Sequence, residues 1–185
     1  MNHHKYGPSA LKNYEVCPHY TKEEGGTPHP VTVEGSMLHE KVENNDLTDL
    51  DNSQKSMVKH CLDFLHDHTD GADEVLPERT YDICKYEGKE PLTYGTVDAT
   101  ALWFKEERAM VADWKFGFNG VDCAGDNVQG CAYCVGVFEE YPLVKTIDLW
   151  FILPRRHEQT HHTYKREDLD DMKLRLETIV GRATE

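Results

Sequence analysis

Apolar and polar residues alternate along the chain with two different periods, and the period predicts the type of each element. Helices are predicted over residues 9–14 and 34–43. Three further helices are predicted from apolar stripes at helical spacing over residues 57–65, 128–138 and 169–179. The predicted strands lie near residues 75–86, 92–104, 109–116 and 145–153. The order ααα-βββ-α-β-α predicts an α/β fold with a central mixed sheet flanked by helices.

Polar residues at the ends of these stripes predict where two helices begin. Asn52 or Ser53 is available to cap the third helix and Asp126 the fourth, since short polar side chains accept hydrogen bonds from the first free N–H groups of a helix. The pattern therefore divides the chain into a helical part over residues 1–70, a sheet with its helix over 71–153, and a C-terminal helical part over 154–185.

Length and charge limit the classes of protein that fit. At 185 residues, the whole chain is expected to form a single domain. Its 34 acidic and 20 basic residues give a net charge of −14, so a polyanion could bind only through local contacts. No apolar run is long enough to span a bilayer, so a cytoplasmic protein without a membrane partner is expected. The irregular spacing of the six cysteines favours reduced thiols.

The segment Val111-Ala112-Asp113-Trp114-Lys115 places a carboxylate and an ammonium group on one face of a strand, because side chains two residues apart point the same way. The preceding strand carries Asp98. A hairpin with a two- or four-residue loop in the same symmetric register places Asp98 directly opposite Asp113. Like charges in that position destabilise a sheet. A divalent cation bridging the carboxylates, with Lys115 beside it, is the simplest compensation.

These groups are the ones that phosphodiester hydrolysis requires. The reaction needs charge stabilisation on the phosphoryl group, an activated water and help for the leaving oxygen, which one or two Mg²⁺ or Mn²⁺ ions can supply. Asp98 and Asp113 would provide carboxylates for the metal, and the backbone carbonyl of Trp114 another oxygen. Lys115 would orient the water or offset developing negative charge.

Further motifs occur in a fixed order around this pair of strands. They are Gly35-Ser36-Met37-Leu38-His39, Glu78, Gly95-Thr96-Val97-Asp98, Asp113-Trp114-Lys115 and Gln129-Gly130-Cys131-Ala132-Tyr133. The series resembles the RecB-like branch of the PD-(D/E)XK nucleases, a group that includes the RecB nuclease domain, CRISPR-associated iron–sulfur exonucleases and small phage exonucleases. The N-terminal segment at residues 9–18 also resembles the start of proteins in that branch. The resemblance therefore spans residues 9 to about 141, and it implies a restriction-endonuclease-like core.

The resemblance also implies roles for individual residues. Asp98 and Asp113 match the metal-binding acids, Lys115 the catalytic lysine, and His39 a histidine beside or on the metal. Gln129 and Tyr133 match a pair on the following helix that contacts the bound strand or a neighbouring acid, and their i, i+4 spacing puts them on one flank. Glu78 is an additional acid whose role is left open.

The chain departs from the iron–sulfur members of this branch. Those members use one N-terminal cysteine and three more after the Gln-x3-Tyr helix. Here Cys17 is present, but no cysteine follows Cys134, so no iron–sulfur cluster is expected.

The expected function is that of a metal-dependent DNA exonuclease of phage or mobile-element type, acting on single strands or duplex ends in a bacterial host or phage-infected cell. Arg155 and Arg156 form the best local basic patch for binding the substrate. A structure-selective or single-strand endonuclease with the same site is one alternative. An inactive DNA-binding scaffold of the same fold is another alternative. A scaffold would be expected to have lost catalytic residues, whereas the sequence keeps Asp98, Asp113, Lys115, Gln129 and Tyr133. Homo-oligomerisation stays open.

Overall fold

The computed structural model describes residues 5–21 and 27–185. The helices in these residues are α1 (Pro8–Val16), α2 (Pro30–Glu43), α3 (Asn52–His68), α4 (Val128–Glu140) and α5 (Leu169–Thr184). The strands are β1 (Glu74–Ile83), β2 (Thr93–Trp103), β3 (Arg108–Trp114), β4 (Thr146–Leu153) and β5 (Glu158–Lys165). Within this part of the chain, no helix has both the length and the apolar character needed to cross a membrane.

The strands form one mixed sheet in the order β1-β2-β3-β4-β5. β3 and β4 run parallel, and the other neighbouring strands run antiparallel. Parallel neighbours need a crossover connection, which α4 provides between β3 and β4. This crossover places the N-terminus of α4 near the end of β3, where the Asp-x-Lys sequence lies.

Each face of the sheet is covered by helices. On one face, α1, α4 and α5 pack through residues such as Leu11, Phe138 and Leu176, and we call this the α4-side core. On the other face, α2 and α3 pack through residues such as Leu38 and Phe64, and we call this the α3-side core. The predicted α/β fold with a central mixed sheet between helices is therefore confirmed.

The β2–β3 hairpin has the symmetric register that the sequence predicted. Trp103 pairs with Arg108 across a loop of residues 104–107, and the ladder continues outward to the pair of Ala99 with Ala112. Asp98 and Asp113 are the next residues in the same register. The predicted register of the hairpin is thus confirmed, and Asp98 and Asp113 lie one position beyond the last paired residues of its ladder.

The sequence pattern missed β5 and misplaced two helix caps. β5 has the sequence Glu-Gln-Thr-His-His-Thr-Tyr-Lys, and it lies at the sheet edge with only Tyr164 buried, so it lacks an apolar period. The cap of α3 is Asp51, which forms a capping box with Gln54, rather than Asn52 or Ser53. The cap of α4 is Asn127, whose side chain accepts a hydrogen bond from the Gly130 N–H at 3.1 Å, rather than Asp126.

Gly136 lets α4 approach β1 closely. A Cβ atom at this position would lie 2.7 Å from Tyr81 Cβ and 3.2 Å from the Asp82 carbonyl oxygen, which are too firmly held to move aside. We therefore expect Gly136→Ala to lower the free energy of unfolding by about 1–3 kcal/mol, through overpacking. Gly181→Ala is the matched control, because a Cβ there meets nothing within 4 Å and alanine favours the helix. Urea denaturation should show opposite signs for the two variants, and equal effects would contradict the packing argument.

Candidate functional site

The buried carboxylate of Asp113 and the ammonium group of Lys115 form an ion pair at the end of β3. Lys115 Nζ lies 2.7 Å from Asp113 Oδ2, and Asp113 is 3% exposed. Burial raises the pKa of Asp113, which Lys115 opposes and the nearby charge of Asp98 reinforces. Oδ2 receives no hydrogen bond of good geometry from the described residues, so the ammonium group is the compensation for its charge.

Gln129, in the first turn of α4, links these two groups to Tyr133. Its Oε1 accepts a hydrogen bond from Lys115 Nζ at 2.9 Å, and its Nε2 donates to the Tyr133 hydroxyl at 2.9 Å. A longer contact of 3.4 Å joins Nε2 to Asp113 Oδ1. The amide is thus held in one orientation, with its oxygen toward the ammonium group. The i, i+4 pair that the sequence singled out makes a direct contact.

Asp98 receives two donors from different elements. Its Oδ2 accepts a hydrogen bond from the Trp114 backbone N–H at 2.6 Å and lies 3.2 Å from His39 Nε2. His39 lies on α2, where its Nδ1 contacts the Gly35 carbonyl oxygen at 2.8 Å. This contact points Nε2 toward Asp98. Burial opposes the charged imidazolium, but Asp98 outweighs it and raises the pKa of His39 to about 9.

Glu78 joins the acids through an unusual backbone conformation. The neighbouring pairs of Pro77 with Ala99 and of Arg79 with Val97 place Glu78 opposite Asp98 in the register. Its φ of 47° is in the left-handed region, which is costly for a residue other than glycine and concentrates at functional sites. Burial, followed by the charge of Asp98, raises the pKa of Glu78 to about 7.

β2 changes the face that its side chains present at Asp98. Val97 packs in the α4-side core and Ala99 in the α3-side core, although residues two apart normally share a face. The side chain of Asp98 therefore lies where it can contact α2 through His39 while staying close to Asp113. Simple alternation along the strand could not have predicted this change.

Arg155 and Arg156, the predicted basic patch, are engaged with acidic side chains. Arg155 Nη2 lies 2.6 Å from Glu34 Oε2, and its Nε donates to the Phe116 carbonyl oxygen at 2.8 Å. Nε and Nη2 of Arg156 each donate a hydrogen bond of 3.0 Å to a carboxylate oxygen of Glu158. Arg155 and Arg156 donate to the carbonyl oxygens of Phe116 and Phe118, which holds the segment after β3, and the acidic partners neutralise their charges locally. Direct phosphate contact, which the sequence suggested, would require these ion pairs to open.

A cavity of about 450 Å³ adjoins the acids on the side of α2, α3 and β1. Its walls include Val42, Leu62, Leu65 and Trp114, and Glu78, Asp98 and His39 also line it. The sequence pattern assigned Leu62 and Leu65 only to a core stripe, because nothing local shows which part of a stripe borders a cavity. A larger, more open depression near Lys85 and Glu139 is lined mostly by charged residues and lies away from these groups.

Within residues 5–21 and 27–185, no three His, Cys, Asp or Glu side chains are already arranged as a metal-binding group. What converges is a row of three acids on adjacent strands, Glu78, Asp98 and Asp113, with Lys115 and His39 beside them. The arrangement concentrates negative charge, and it offers oxygen and nitrogen atoms that can act as metal ligands from both faces of the sheet.

Comparisons with known proteins place the chain in a family without giving it a function. A search of curated proteins found no match. A solved structure described as "Crystal structure of SSO0001" is similar at 17% sequence identity and a TM-score of 0.34, over 92% of this chain and 83% of that one. The family described as "Protein of unknown function (DUF2800)" matches residues 10–183. Since this match covers nearly all of the sequence, the chain belongs to the DUF2800 family.

Proposed function

We propose that the protein is a divalent-metal-dependent deoxyribonuclease of the RecB-like branch of the PD-(D/E)XK superfamily, acting from DNA ends. The observation that carries the proposal is the joint network of Asp113, Lys115 and Gln129 beside Asp98. Strands, hairpin register and the crossover helix all bring these side chains to one place. An ion-paired strand surface would not need a buried carboxylate, a glutamine linker and a second acid together.

The donor set fits a hard divalent cation. Asp98 and Asp113 supply carboxylates, and Trp114, whose backbone carbonyl is a further oxygen ligand, directly follows Asp113 in the chain. His39 Nε2 points at Asp98. Mg²⁺ is usually held through one or two carboxylates and keeps several waters, so three preassembled side chains are not required. The Nδ1 contact of His39 with a backbone carbonyl is the support that metal-binding histidines commonly have. When bound, the cation would stabilise charge on the phosphoryl group and lower the pKa of a water.

Lys115 and Gln129 have distinct roles in this proposal. The ammonium group of Lys115 is held between the Asp113 carboxylate and the Gln129 amide oxygen, so its position is fixed before substrate binds. A fixed cation can orient a water or stabilise the negative charge that develops on a phosphate. Gln129 acts through Lys115 and is a positioning residue, and the Tyr133 hydroxyl keeps its amide from rotating.

A test of metal dependence uses end-labelled linear DNA. We expect degradation with Mg²⁺ or Mn²⁺ and none in excess chelator. His39→Ala should reduce the Mn²⁺-supported rate more than the Mg²⁺-supported rate, since imidazole suits Mn²⁺ better than Mg²⁺. His161→Ala is the matched control, because His161 also pairs with an aspartate, Asp148, at 3.1 Å but lies on the edge strand. Full degradation in chelator would remove the metal mechanism.

A further inference from the structure

We propose that the cavity beside Asp98 receives the terminal nucleoside of a DNA strand, so that the protein releases mononucleotides. The inference rests on the proposed nuclease function and extends it to the form of the substrate and the product. It follows from the walls of the cavity, from its charge and from its position next to the acids.

The walls are suited to a flat, largely apolar group. Leu62 and Leu65 of α3, Val42 of α2 and the buried Trp114 supply apolar surface on several sides. A volume of about 450 Å³ lies toward the small end of the range of about 300–1,000 Å³ for pockets that hold small molecules. A single nucleoside is of this class, whereas a continuing polynucleotide needs an open groove.

The charge of the cavity excludes a second phosphate. Its lining includes Glu43, Asp63, Glu78 and Asp98, and none of the described residues that line it is a lysine or an arginine. The imidazole of His39 is already engaged with Asp98, so a phosphodiester that continued through the cavity would face the other carboxyl groups with no lysine or arginine of the described lining to balance them. The sugar and base of one nucleoside carry no charge. The strand must therefore end in the cavity.

The position of the cavity links it to the reaction. Glu78 and Asp98 of the row of acids line the cavity, as does His39 beside them, so a nucleoside inside would present its own phosphate to those groups. In the hydrolysis, the oxygen of a water bonds to phosphorus while the P–O bond to the next sugar breaks. A proton from the water passes to the departing oxygen, so the products are a nucleoside monophosphate and a shortened strand.

The first arm of the test measures the products of the wild-type protein. Linear single-stranded and duplex oligonucleotides, and circular single strands, are incubated with Mn²⁺, and the products are separated by size. We expect mononucleotides from the linear substrates from the earliest times and no cleavage of the circles. Bis(p-nitrophenyl) phosphate, a small diester without a nucleoside, is assayed in parallel to report the metal-dependent chemistry itself.

The second arm fills the cavity. Leu62→Trp should lower the ratio of oligonucleotide to small-diester cleavage by at least about tenfold, because a displaced terminal nucleoside misplaces the phosphate. Leu174→Trp, at a 62% exposed position on α5, is the control and should keep the wild-type ratio. Val75→Trp, at a 45% exposed position of the lining, provides a second variant if Leu62→Trp does not fold. Binding of deoxyadenosine without metal, followed by saturation-transfer NMR, should be lost in the filled variants and kept in the control.

The outcomes separate the two proposals. Cleavage of circles, or oligonucleotide products at early times, would overturn the cavity assignment and leave the nuclease function standing. A filled variant with wild-type deoxyadenosine binding and a wild-type cleavage ratio would also overturn it. If the folded wild-type protein cleaves neither DNA nor the small diester with Mg²⁺ or Mn²⁺, the proposed function fails, and the cavity proposal fails with it.

Discussion

Lys115→Met is expected to lower metal-dependent DNA cleavage by about 10²–10⁴-fold, the usual loss when a positioned group that assists a proton or a developing charge is removed. The same substitution should destabilise the metal-free protein by about 3–5 kcal/mol, because it leaves the buried Asp113 carboxylate without its ion-pair partner. Activity is measured with end-labelled DNA and stability by urea denaturation.

The double variant Lys115→Met with Asp113→Asn distinguishes the two effects. Removing the buried charge should restore most of the lost stability, while cleavage stays absent because both groups are needed. Lys145→Met is the control for loss of a lysine, since Lys145 pairs with Glu107 at the surface and should contribute little to stability. A Lys115→Met protein with wild-type turnover would show that Lys115 serves only to neutralise Asp113.

Asp98→Asn is expected to abolish both cleavage and the stabilisation that Mn²⁺ gives the wild-type protein. Asparagine retains an acceptor for the Trp114 N–H, so the hairpin end should keep its hydrogen bond. At a Mn²⁺ concentration about 100 times Kd, binding to the folded state contributes about 2.7 kcal/mol, or roughly 5–10 °C in melting temperature for a chain of this size. Thermal melts with and without Mn²⁺ should show this shift in the wild type and not in the variant.

The metal-free melting temperature of Asp98→Asn should stay close to that of the metal-free wild type. The variant loses the His39 contact at 3.2 Å, but it also loses repulsion between Asp98 and the neighbouring Glu78 and Asp113. Asp148→Asn is the matched control, because Asp148 contacts His161 Nε2 at 3.1 Å on the other side of the sheet centre. It should keep the full Mn²⁺ shift. If Asp98→Asn keeps that shift too, the metal lies elsewhere.

Several parts of the site followed from local sequence alone. Counting outward from the hairpin loop was enough to give the register that brings Asp98 and Asp113 to the end of the same ladder, because the register of a tight antiparallel hairpin is set by its turn. The contact of Gln129 with Tyr133 followed from helical spacing. Such features depend on residues close in the chain, so their geometry is fixed by the period of one element.

Other parts depended on contacts between distant segments. The pairing of Arg155 with Glu34 joins residues 121 positions apart, so the sequence predicted a free basic patch where the structure has an ion pair. The polar edge strand β5 is defined by its hydrogen bonds to β4 rather than by its own apolar pattern. The cavity is likewise formed by α2, α3 and β1 together.

The sequence by itself determined the order of helices and most strands, the hairpin register and the identity of the acids and lysine that meet at its end. Only the tertiary structure decided that Asp113 is buried against Lys115 and that His39 reaches Asp98. It also decided that Glu78, whose own backbone is in the left-handed region, completes the row of acids. The physical reason is that periodicity and turn geometry act over a few residues, whereas burial, desolvation and charge pairing depend on which remote surfaces the packed helices bring together.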